Sequence, residues 1–472
     1  MNFLSLKFLL FFGLVYLIYW NFGDKLKRPF ILIVSAYFYS TYSFNFLLHL
    51  IFVISVNFFI IKYFFEKKYF LKLSVFFNLL NLVLFKYFYF LMELFGGLTG
   101  LKFLTQKTEL NQMLSSLTTI NGFEIALPVF ISYYTFQFIS LSVDLKNKVL
   151  EEKPTYYDVS SFILFFPVMV AGPILRFKQF VPQLKSPKMD EDLMYNGLYL
   201  ILLGLFKKAV LSTLLVPVIY PVLSKPADYA SYTLLLCSFS FAINLYLDFS
   251  GLTDLARGMG KLLGLELPEN FKAPFYIDSF GELWRRWHLT FSYWIRDYIY
   301  IPLGGSRASN WRVSLNLIIT FTLGGLWHGA SLNFALWGFI TGIYLSLERV
   351  YSGLGIRIIP KIPILNPILN WLLIITIYIF SWIFFFTPDF STAISVIQNI
   401  LIFKSGKGLN EYEMIVYIFV FTAIFHYFQE KPEKFTNLTK AKKYLFPVFS
   451  LIMILLLINY GGGNFDFFYS QF

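Results

Sequence analysis

The stretch that decides the fold opens with Gly281-Glu282-Leu283-Trp284-Arg285-Arg286-Trp287-His288-Leu289-Thr290-Phe291-Ser292 and closes with Leu323-Gly324-Gly325-Leu326-Trp327-His328-Gly329-Ala330. A helical period separates two sets of side chains in its first half. Charged and polar side chains share one side, namely Arg285, His288, Ser292 and Arg296. Aromatic rings share the other, namely Trp284, Trp287, Phe291, Trp294 and Tyr298. This pattern predicts an amphipathic helix at the membrane–water boundary, where rings rest at headgroup level and guanidinium groups reach water or anions.

The second half of this stretch is predicted to enter the membrane. Ile301-Pro302-Leu303-Gly304-Gly305 interrupts the helix. From Val313 a strongly apolar segment runs to Trp327-His328-Gly329. His328 is therefore expected where water is scarce.

The composition of the whole chain is that of a membrane protein. Of its 472 residues, 57% are hydrophobic and only 14% are charged, too few to cover a soluble globule of this size. Repeated apolar runs approach or exceed the roughly 20 residues needed to cross a bilayer. The predicted fold class is therefore all-α and polytopic, with about eleven or twelve membrane helices plus re-entrant and interfacial helices. With no internal repeat or linker, residues 1–472 are interpreted as a single transmembrane domain.

The net charge of +12 does not indicate nucleic acid as a partner. Lysines and arginines lie mainly in short connections between apolar runs, as the positive-inside rule expects, so the partner of this charge is membrane lipid. Residues 1–20 lack a basic n-region and a cleavage site and are interpreted as a retained first span. The basic segments 24–28 and 429–443 are expected in the cytoplasm. We therefore predict a multi-pass protein of the cytoplasmic (inner) membrane, with both termini outside.

Three interruptions of the apolar runs carry further predictions. Residues 29–61 become polar at Ser40-Thr41-Tyr42-Ser43, which favours a hairpin or a re-entrant pair over one long helix. Residues 156–173 have basic flanks on both sides and are expected to dip into the membrane without crossing. Lys207 and Lys208 stand in the middle of the run 192–222. Two adjacent lysines are too costly to face lipid, so they predict a helix break or a wet cavity.

His328 is the strongest candidate for chemistry. Ionisable groups inside a membrane are costly, so they are by default functional. Burial is expected to keep the imidazole neutral, the form that accepts a proton. Gly325 and Gly329 on either side let a substrate or another backbone come close. The alternative is a core histidine that hydrogen-bonds a backbone carbonyl.

The other candidate positions, apart from Asp248, lie in the same stretch of residues 281–330. His288 is interpreted as a second proton-handling or substrate-binding group, or as an anchor of a surface helix. Arg285, Arg286 and Arg296 fit an anionic ligand, and they equally fit lipid headgroups or ion pairs with Glu282 and Asp297. The further binding candidates are Trp287, Trp327 and Asp248. For Asp248 the choice lies between orienting a histidine and satisfying buried amides.

Several other sites are disfavoured. The chain has no Gly-x-Ser-x-Gly elbow, P-loop or His-Glu-x-x-His motif. Two histidines without acidic residues at ligand-like spacing make a poor metal site, so we expect no metal. His49 and His426 lie in apolar runs and are interpreted as structural.

The C-terminal segment 461–472 is aromatic and has neither lysine nor arginine. Its rings would form an exposed apolar patch unless they are buried, so we expect this tail to fold back into a cavity of the protein or of a partner. That would bring Tyr469 into a site, where a phenol can serve as a nucleophile once a base takes its proton.

These words together resemble the membrane-bound O-acyltransferase (MBOAT) family, and most closely its bacterial branch typified by the alginate O-acetylation membrane protein. The matching words are residues 284–288, 296–305 and 324–330, with 171–174, 248–251 and 268–271 upstream. Two positions depart from the family pattern, Glu282-Leu283 where Asp-Phe is usual and Ser470 where the ending is usually aromatic. The resemblance implies the MBOAT fold, with a catalytic core at about residues 120–350.

The resemblance also implies an activity. It implies transfer of an acyl group from a cytoplasmic thioester to an extracytoplasmic acceptor, with acetyl-CoA as donor substrate and no bound cofactor. In the family the histidine at the position of His328 is essential, and that at His288 is the second site position. An aromatic ending similar to residues 467–472 carries the acyl group on its tyrosine, here Tyr469. The implied partner is a separate extracytoplasmic polysaccharide transferase of the SGNH or a related type.

Two alternatives to this interpretation stay open. The first is D-alanyl transfer to teichoic acid, although those systems place the aromatic ending on a separate small partner. The second belongs to another class, a transporter or flippase whose histidines line a proton or substrate path.

Overall fold

A computed structural model of the chain describes residues 1, 3–118, 124–354, 365–431 and 436–460, with the backbone alone for 365–367 and 436–445. In these ranges the chain is helical, as predicted, and its β structure is limited to an isolated bridge between Tyr229 and Lys407. Contacts divide the chain into two units. Unit 1 comprises Met1–Val170 and Ile174–Ser186, and unit 2 comprises Ala171–Pro173 and Pro187–Phe472. The single domain over 1–472 stays a prediction.

In its described part, unit 1 consists of helices. They are α1 (Leu6–Asn21), α2 (Asp24–Ser40), α3 (Phe44–Phe64), α4 (Phe70–Leu82), α5 (Phe88–Thr99), α6 (Lys107–Thr118), α7 (Ile131–Lys146), α8 (Tyr156–Ile163), α9 (Phe166–Met169) and α10 (Phe177–Lys185). The break between α2 and α3 excludes one long helix over residues 29–61 and fits a hairpin and a re-entrant pair alike. Between α4 and α5, a π-turn at Val83–Tyr87 keeps Phe70–Thr99 one continuous segment. The short α8 and α9 fit a segment that does not cross.

Polar pairs stabilise the interior of unit 1. Asn57 and Asn78 exchange amide hydrogen bonds of 3.2 and 2.7 Å between α3 and α4. His49 Nε2 lies 3.0 Å from Asn81 Oδ1 on the same pair of helices. His49 therefore has a polar partner that its own apolar run did not suggest, and this contact agrees with a structural role.

Unit 2 carries the stretch of residues 281–330. Its helices are α11 (Glu191–Leu205), α12 (Thr213–Ser224), α13 (Ser231–Leu262), α14 (Phe280–Trp284), α15 (Leu289–Ile295), α16 (Asn310–His328), α17 (Leu332–Gly353), α18 (Leu365–Phe386), α19 (Phe390–Leu401), α20 (Tyr412–Glu430) and α21 (Thr436–Tyr460). The π-turn Phe206–Ser212 joins α11 to α12 and contains the two adjacent lysines. The helix break that was one of the two predictions for these lysines is therefore absent, because the π-turn widens the helix without ending it and Glu191–Ser224 is one continuous segment.

Glycines let α11 and α13 approach backbone to backbone. A Cβ on Gly204 would lie 2.5 Å from the carbonyl oxygen of Gly251, and one on Gly258 would lie 2.7 Å from that of Gly197. Both contacts are shorter than real side chains make. This close approach brings the lysines of the π-turn within reach of the carboxylates on α13.

The prediction of one amphipathic helix over residues 284–298 is wrong in one respect, because the helix is interrupted. The chain forms α14, a turn at 285–288, α15 and then a π-turn at Arg296–Tyr300. The break lies at His288, whose φ of 44° and ψ of 56° place it in the left-handed region. A helical period cannot cross such a residue, so the two sides predicted from that period do not persist.

In the described ranges, six helical segments are long and apolar enough to cross a membrane: Phe44–Phe64, Phe70–Thr99, Glu191–Ser224, Ser231–Leu262, Ile368–Phe386 and Tyr412–Glu430. Shorter apolar helices accompany them at Leu6–Asn21, Phe390–Leu401 and Phe446–Tyr460. The chain is therefore a multi-pass membrane protein. The count of eleven or twelve membrane helices and the side on which each terminus lies stay predictions.

Gly204→Ala is expected to lower the unfolding midpoint, because its methyl group meets the backbone of α13 at 2.5 Å. Overpacking of this kind costs about 1–3 kcal/mol. Gly13→Ala is the matched control, since a Cβ there has nothing within 4 Å. Thermal unfolding of both variants in detergent measures the difference, and equal midpoints would show that the α11–α13 contact is looser than described.

Candidate functional site

His288 lies between α14 and α15 with its imidazole in an aromatic shell. The residue is 3% exposed. Its ring centroid lies 4.7 Å from that of Phe249, 5.1 Å from Phe291 and 6.2 Å from Trp327. Histidine is among the few residues that enter the left-handed region at moderate cost, which suits it to this turn. The backbone turn directs the ring into the interior and not toward the surface side predicted from the helical period.

His328 occupies the last position of α16 and shares that shell. It is 5% exposed. Its ring contacts Trp327 at 4.9 Å, Phe291 at 5.2 Å, and Trp337 and Phe385 at 5.3 Å each. Phe291 and Trp327 touch both histidines. The structure thus brings together the two histidines that the sequence singled out, around two common rings.

Glycines close the hairpin of α16 and α17 behind His328. A Cβ on Gly325 would lie 2.1 Å from the carbonyl oxygen of Phe334, and one on Gly338 would lie 2.1 Å from that of Phe321. A Cβ on Gly329 would meet the ring of Phe334. The close approach expected at Gly325 and Gly329 is therefore to the neighbouring helix.

The arginines of the site face carboxylates. Arg286 pairs with Glu282 at 2.8 Å and with Glu430 at 2.6 Å, and Arg296 Nε pairs with Asp297 at 2.7 Å. The ion-pair alternative with Glu282 and Asp297 is thus present.

The remaining candidates divide between surface and interior. Arg285 is exposed. Trp287 is buried against Phe271 and Trp382, with ring centroids 5.1 and 4.9 Å away. Tyr469 falls outside the described residues.

Asp248 forms a buried ion pair with Lys208 across α13 and the π-turn. Next to it, Lys207 Nζ lies 2.7 Å from Asp254 Oδ2. All four residues are less than 9% exposed. Buried charges persist when they are paired, so this pair favours a structural role for Asp248, and its role in binding stays a prediction. Its prediction as a binding residue has no geometric support beyond this pair.

A cavity of about 490 Å³ opens beside Lys207. Its charged lining residues are Lys207, Asp254, Arg257, Lys261, Glu269 and Lys272. Both carboxylates already face cations, Asp254 through Lys207 and Glu269 through Arg257 at 2.7 Å. The cavity therefore offers a net cationic environment to a ligand. Of the two adjacent lysines, Lys207 lines this cavity, and a wet cavity at this place stays a prediction.

The cavity wall reaches the aromatic shell through Phe271. This lining residue contacts Phe249 at 5.2 Å, and Phe249 in turn contacts His288. Phe249 and Phe271 fall in words of sequence that resembled the family, but no periodicity singled them out. Trp337 and Phe385 were missed because each comes from a different helix.

Burial lowers the pKa of the His288 imidazole to about 3, from an ordinary value of 6.5. His288 is outside the six candidate membrane spans. Its ring is therefore neutral at physiological pH and able to accept a proton or a hydrogen bond.

The fold and the site together define a class of protein: a multi-pass helical membrane protein with two buried histidines around common aromatic rings. Residues 34–387 match MBOAT, the membrane-bound O-acyltransferase family. The match covers most of the chain and includes both histidines. The chain belongs to this family.

Among characterised proteins, the chain is similar to the Probable alginate O-acetylase of Pseudomonas aeruginosa, with 35% identity over 271 residues, 57% of this chain and 50% of the relative. It is 32% identical to the Peptidoglycan O-acetyltransferase of Helicobacter pylori over 305 residues, 59% of this chain and 57% of the relative. It is 29% identical to the Teichoic acid D-alanyltransferase of Bacillus subtilis over 234 residues, 47% and 59% of the two chains. The chain thus spans about half the length of the curated relatives it matches.

His288→Asn is expected to make the protein less sensitive to acid. As pH falls below 6.5, the unfolded state binds a proton at His288 that the folded state refuses until about pH 3. Stability is therefore lost as pH falls through this window. Asparagine does not titrate and tolerates the left-handed backbone. Unfolding midpoints of both proteins between pH 7 and 4 measure the effect, and parallel curves would contradict a neutral, buried His288.

Proposed function

We propose that this chain is an O-acyltransferase that moves an acetyl group from cytoplasmic acetyl-CoA across the inner membrane for O-acetylation of a cell-envelope or exported polysaccharide. The observation that carries the proposal is the pair of buried histidines, His288 and His328, around the rings of Phe291 and Trp327. This pair lies within a family of O-acyltransferases. The named activities of the O-acetylating relatives support acetyl as the group transferred.

In the proposed reaction His328 is the general base. Its imidazole takes the proton of an incoming hydroxyl, whose oxygen attacks the thioester carbonyl. The carbon–sulfur bond breaks, an oxygen ester forms, and the proton passes to the CoA thiolate. His288, whose ring also contacts Phe291, assists by hydrogen bonding to the reacting groups. The aromatic shell excludes water, which protects the thioester from hydrolysis.

The cationic cavity is the proposed place of the donor. CoA carries several phosphate oxygens, and Lys207, Arg257, Lys261 and Lys272 supply cations for them. From this cavity the Phe271–Phe249 contact leads toward His288.

The proposed acceptor is the C-terminal tail. Tyr469 accepts the acetyl group, and a separate extracytoplasmic transferase of the SGNH or a related type moves it to the polysaccharide. This relay rests on the sequence of residues 467–472 and leaves CoA in the cytoplasm. D-alanyl transfer remains the second candidate, because a teichoic acid D-alanyltransferase is among the relatives. Its lower identity and the tail on this chain favour acetyl transfer.

His328→Ala is expected to lower acetyl transfer by at least about a hundredfold, since a general base contributes roughly 10²–10⁴. Purified protein is incubated with labelled acetyl-CoA, and label transfer is measured by intact mass and peptide mapping. His49→Ala is the control, because His49 lies in α3 and bonds Asn81. Full activity of His328→Ala would refute the proposed base.

Tyr469→Phe is expected to abolish label on the C-terminal peptide while leaving the protein folded, because only the phenol oxygen is lost. Tyr460→Phe, at the end of α21, is the control. Label that persists on the C-terminal peptide, or that appears elsewhere, would keep the enzyme and refute the relay. No label from acetyl-CoA in the wild-type chain would contradict the acetyl donor.

A further inference from the structure

Asn270 lies between the cavity and His288 and was not singled out by any chemical pattern in the sequence. It lines the cavity together with its neighbours Glu269 and Phe271. The residue is 1% exposed. Its backbone carbonyl and its side-chain oxygen both accept hydrogen bonds from the segment that follows His288.

The oxygens of Asn270 hold the first turn of α15. Its backbone carbonyl accepts the Leu289 N–H at 2.9 Å. Its Oδ1 accepts the Thr290 N–H at 3.2 Å and the Thr290 hydroxyl at 2.6 Å. The N-terminal N–H groups of a helix need such acceptors, and His288 at the N-cap position supplies none from its side chain. Asn270 therefore acts as an external cap that keeps the backbone turn at His288.

The side-chain nitrogen of Asn270, Nδ2, takes no part in these hydrogen bonds. The Thr290 N–H can only donate, which fixes the oxygen of the amide on that side and the nitrogen on the other. Within the described part of the chain, Asn270 Nδ2 is buried and has no hydrogen-bond partner. A buried donor without an acceptor is costly. Because the residue lines the cavity, a ligand there is the available source of an acceptor.

We propose that Asn270 is a positioning residue that couples binding of the donor to the placement of His288. Its Nδ2 donates a hydrogen bond to an oxygen of the donor in the cavity, while its Oδ1 and carbonyl hold α15. This inference rests on the proposed function. The ligand class is a phosphorylated acyl thioester, which offers amide and phosphate oxygens to Nδ2 and negative charge to the lysines of the cavity.

The test is binding of radiolabelled CoA to the purified full-length chain in detergent. Asn270→Asp keeps an acceptor for Thr290 but replaces the N–H donor with a second oxygen. We expect its Kd for CoA to rise at least about tenfold, the scale of a lost hydrogen bond to a charged group. Asn316→Asp is the matched control, a fully buried asparagine on α16 that does not line the cavity. Its Kd is expected to stay within about twofold of wild type.

Thr290→Val tests the role of the Asn270 oxygen separately from that of its nitrogen. It removes the hydroxyl bond to Oδ1 and leaves Nδ2 in place, so we expect a lower kcat with an unchanged Kd for CoA. Asn270→Ala loses both halves and is expected to show both effects, which keeps the test decisive if Asn270→Asp does not fold. A purely structural role would lower stability in all these variants without moving the Kd.

The outcomes distinguish this inference from the proposed function. Equal CoA affinity in wild type, Asn270→Asp and Asn270→Ala would overturn the inference and leave acetyl transfer intact. A wild-type chain that does not bind CoA would overturn the inference as well. CoA binding that depends on Asn270, without any transfer of labelled acetyl, would support the contact and contradict the proposed function.

Discussion

The left-handed backbone at His288 is the constraint on which the site depends. Because His288 has a left-handed backbone, its imidazole lies in the interior, with its ring centroid 5.1 Å from that of Phe291. Such a conformation costs a residue with a side chain roughly 1–2 kcal/mol. The bonds from Asn270 to Leu289 and Thr290, with burial of the ring, offset this cost. Strain held in this way commonly marks functional sites, and here it directs a neutral imidazole into an aromatic shell.

Close helix packing is the second requirement, and glycine meets it twice in unit 2. The α11–α13 contact brings the lysines of the π-turn to Asp248 and Asp254, and the α16–α17 contact closes the hairpin that ends at His328. Buried ion pairs carry a desolvation cost that can exceed their attraction, so they are weak evidence for stability. The position of one pair is more informative, because Lys207 and Asp254 line the cavity, whereas Lys208 and Asp248 do not.

The sequence predicted those features that depend on local composition. The apolar runs, the break at residues 41–43 and the arrival of His328 at the end of a helix follow from hydropathy and turn residues near each of them. The turn at His288 does not, since its stabilising partner Asn270 lies in another segment and no period records that contact. The pairing of Asp248 with Lys208 likewise joins two helices. The importance of both histidines came from the family resemblance together with the expectation that ionisable groups in a membrane are functional.

The aromatic residues of this stretch, predicted to lie at the membrane boundary, form the shell around both histidines. Trp327 and Phe291 each touch both histidines, and Phe249 extends the same shell to a wall of the cavity. A thioester that moved from the cavity to these rings would leave water and cations behind and come next to the neutral imidazole of His288. The low pKa of His288, about 3 through burial, follows from the same shell. One arrangement of rings thus buries His288 and keeps it in the form that accepts a proton, and Asn270 joins the turn at His288 to the wall of the cavity.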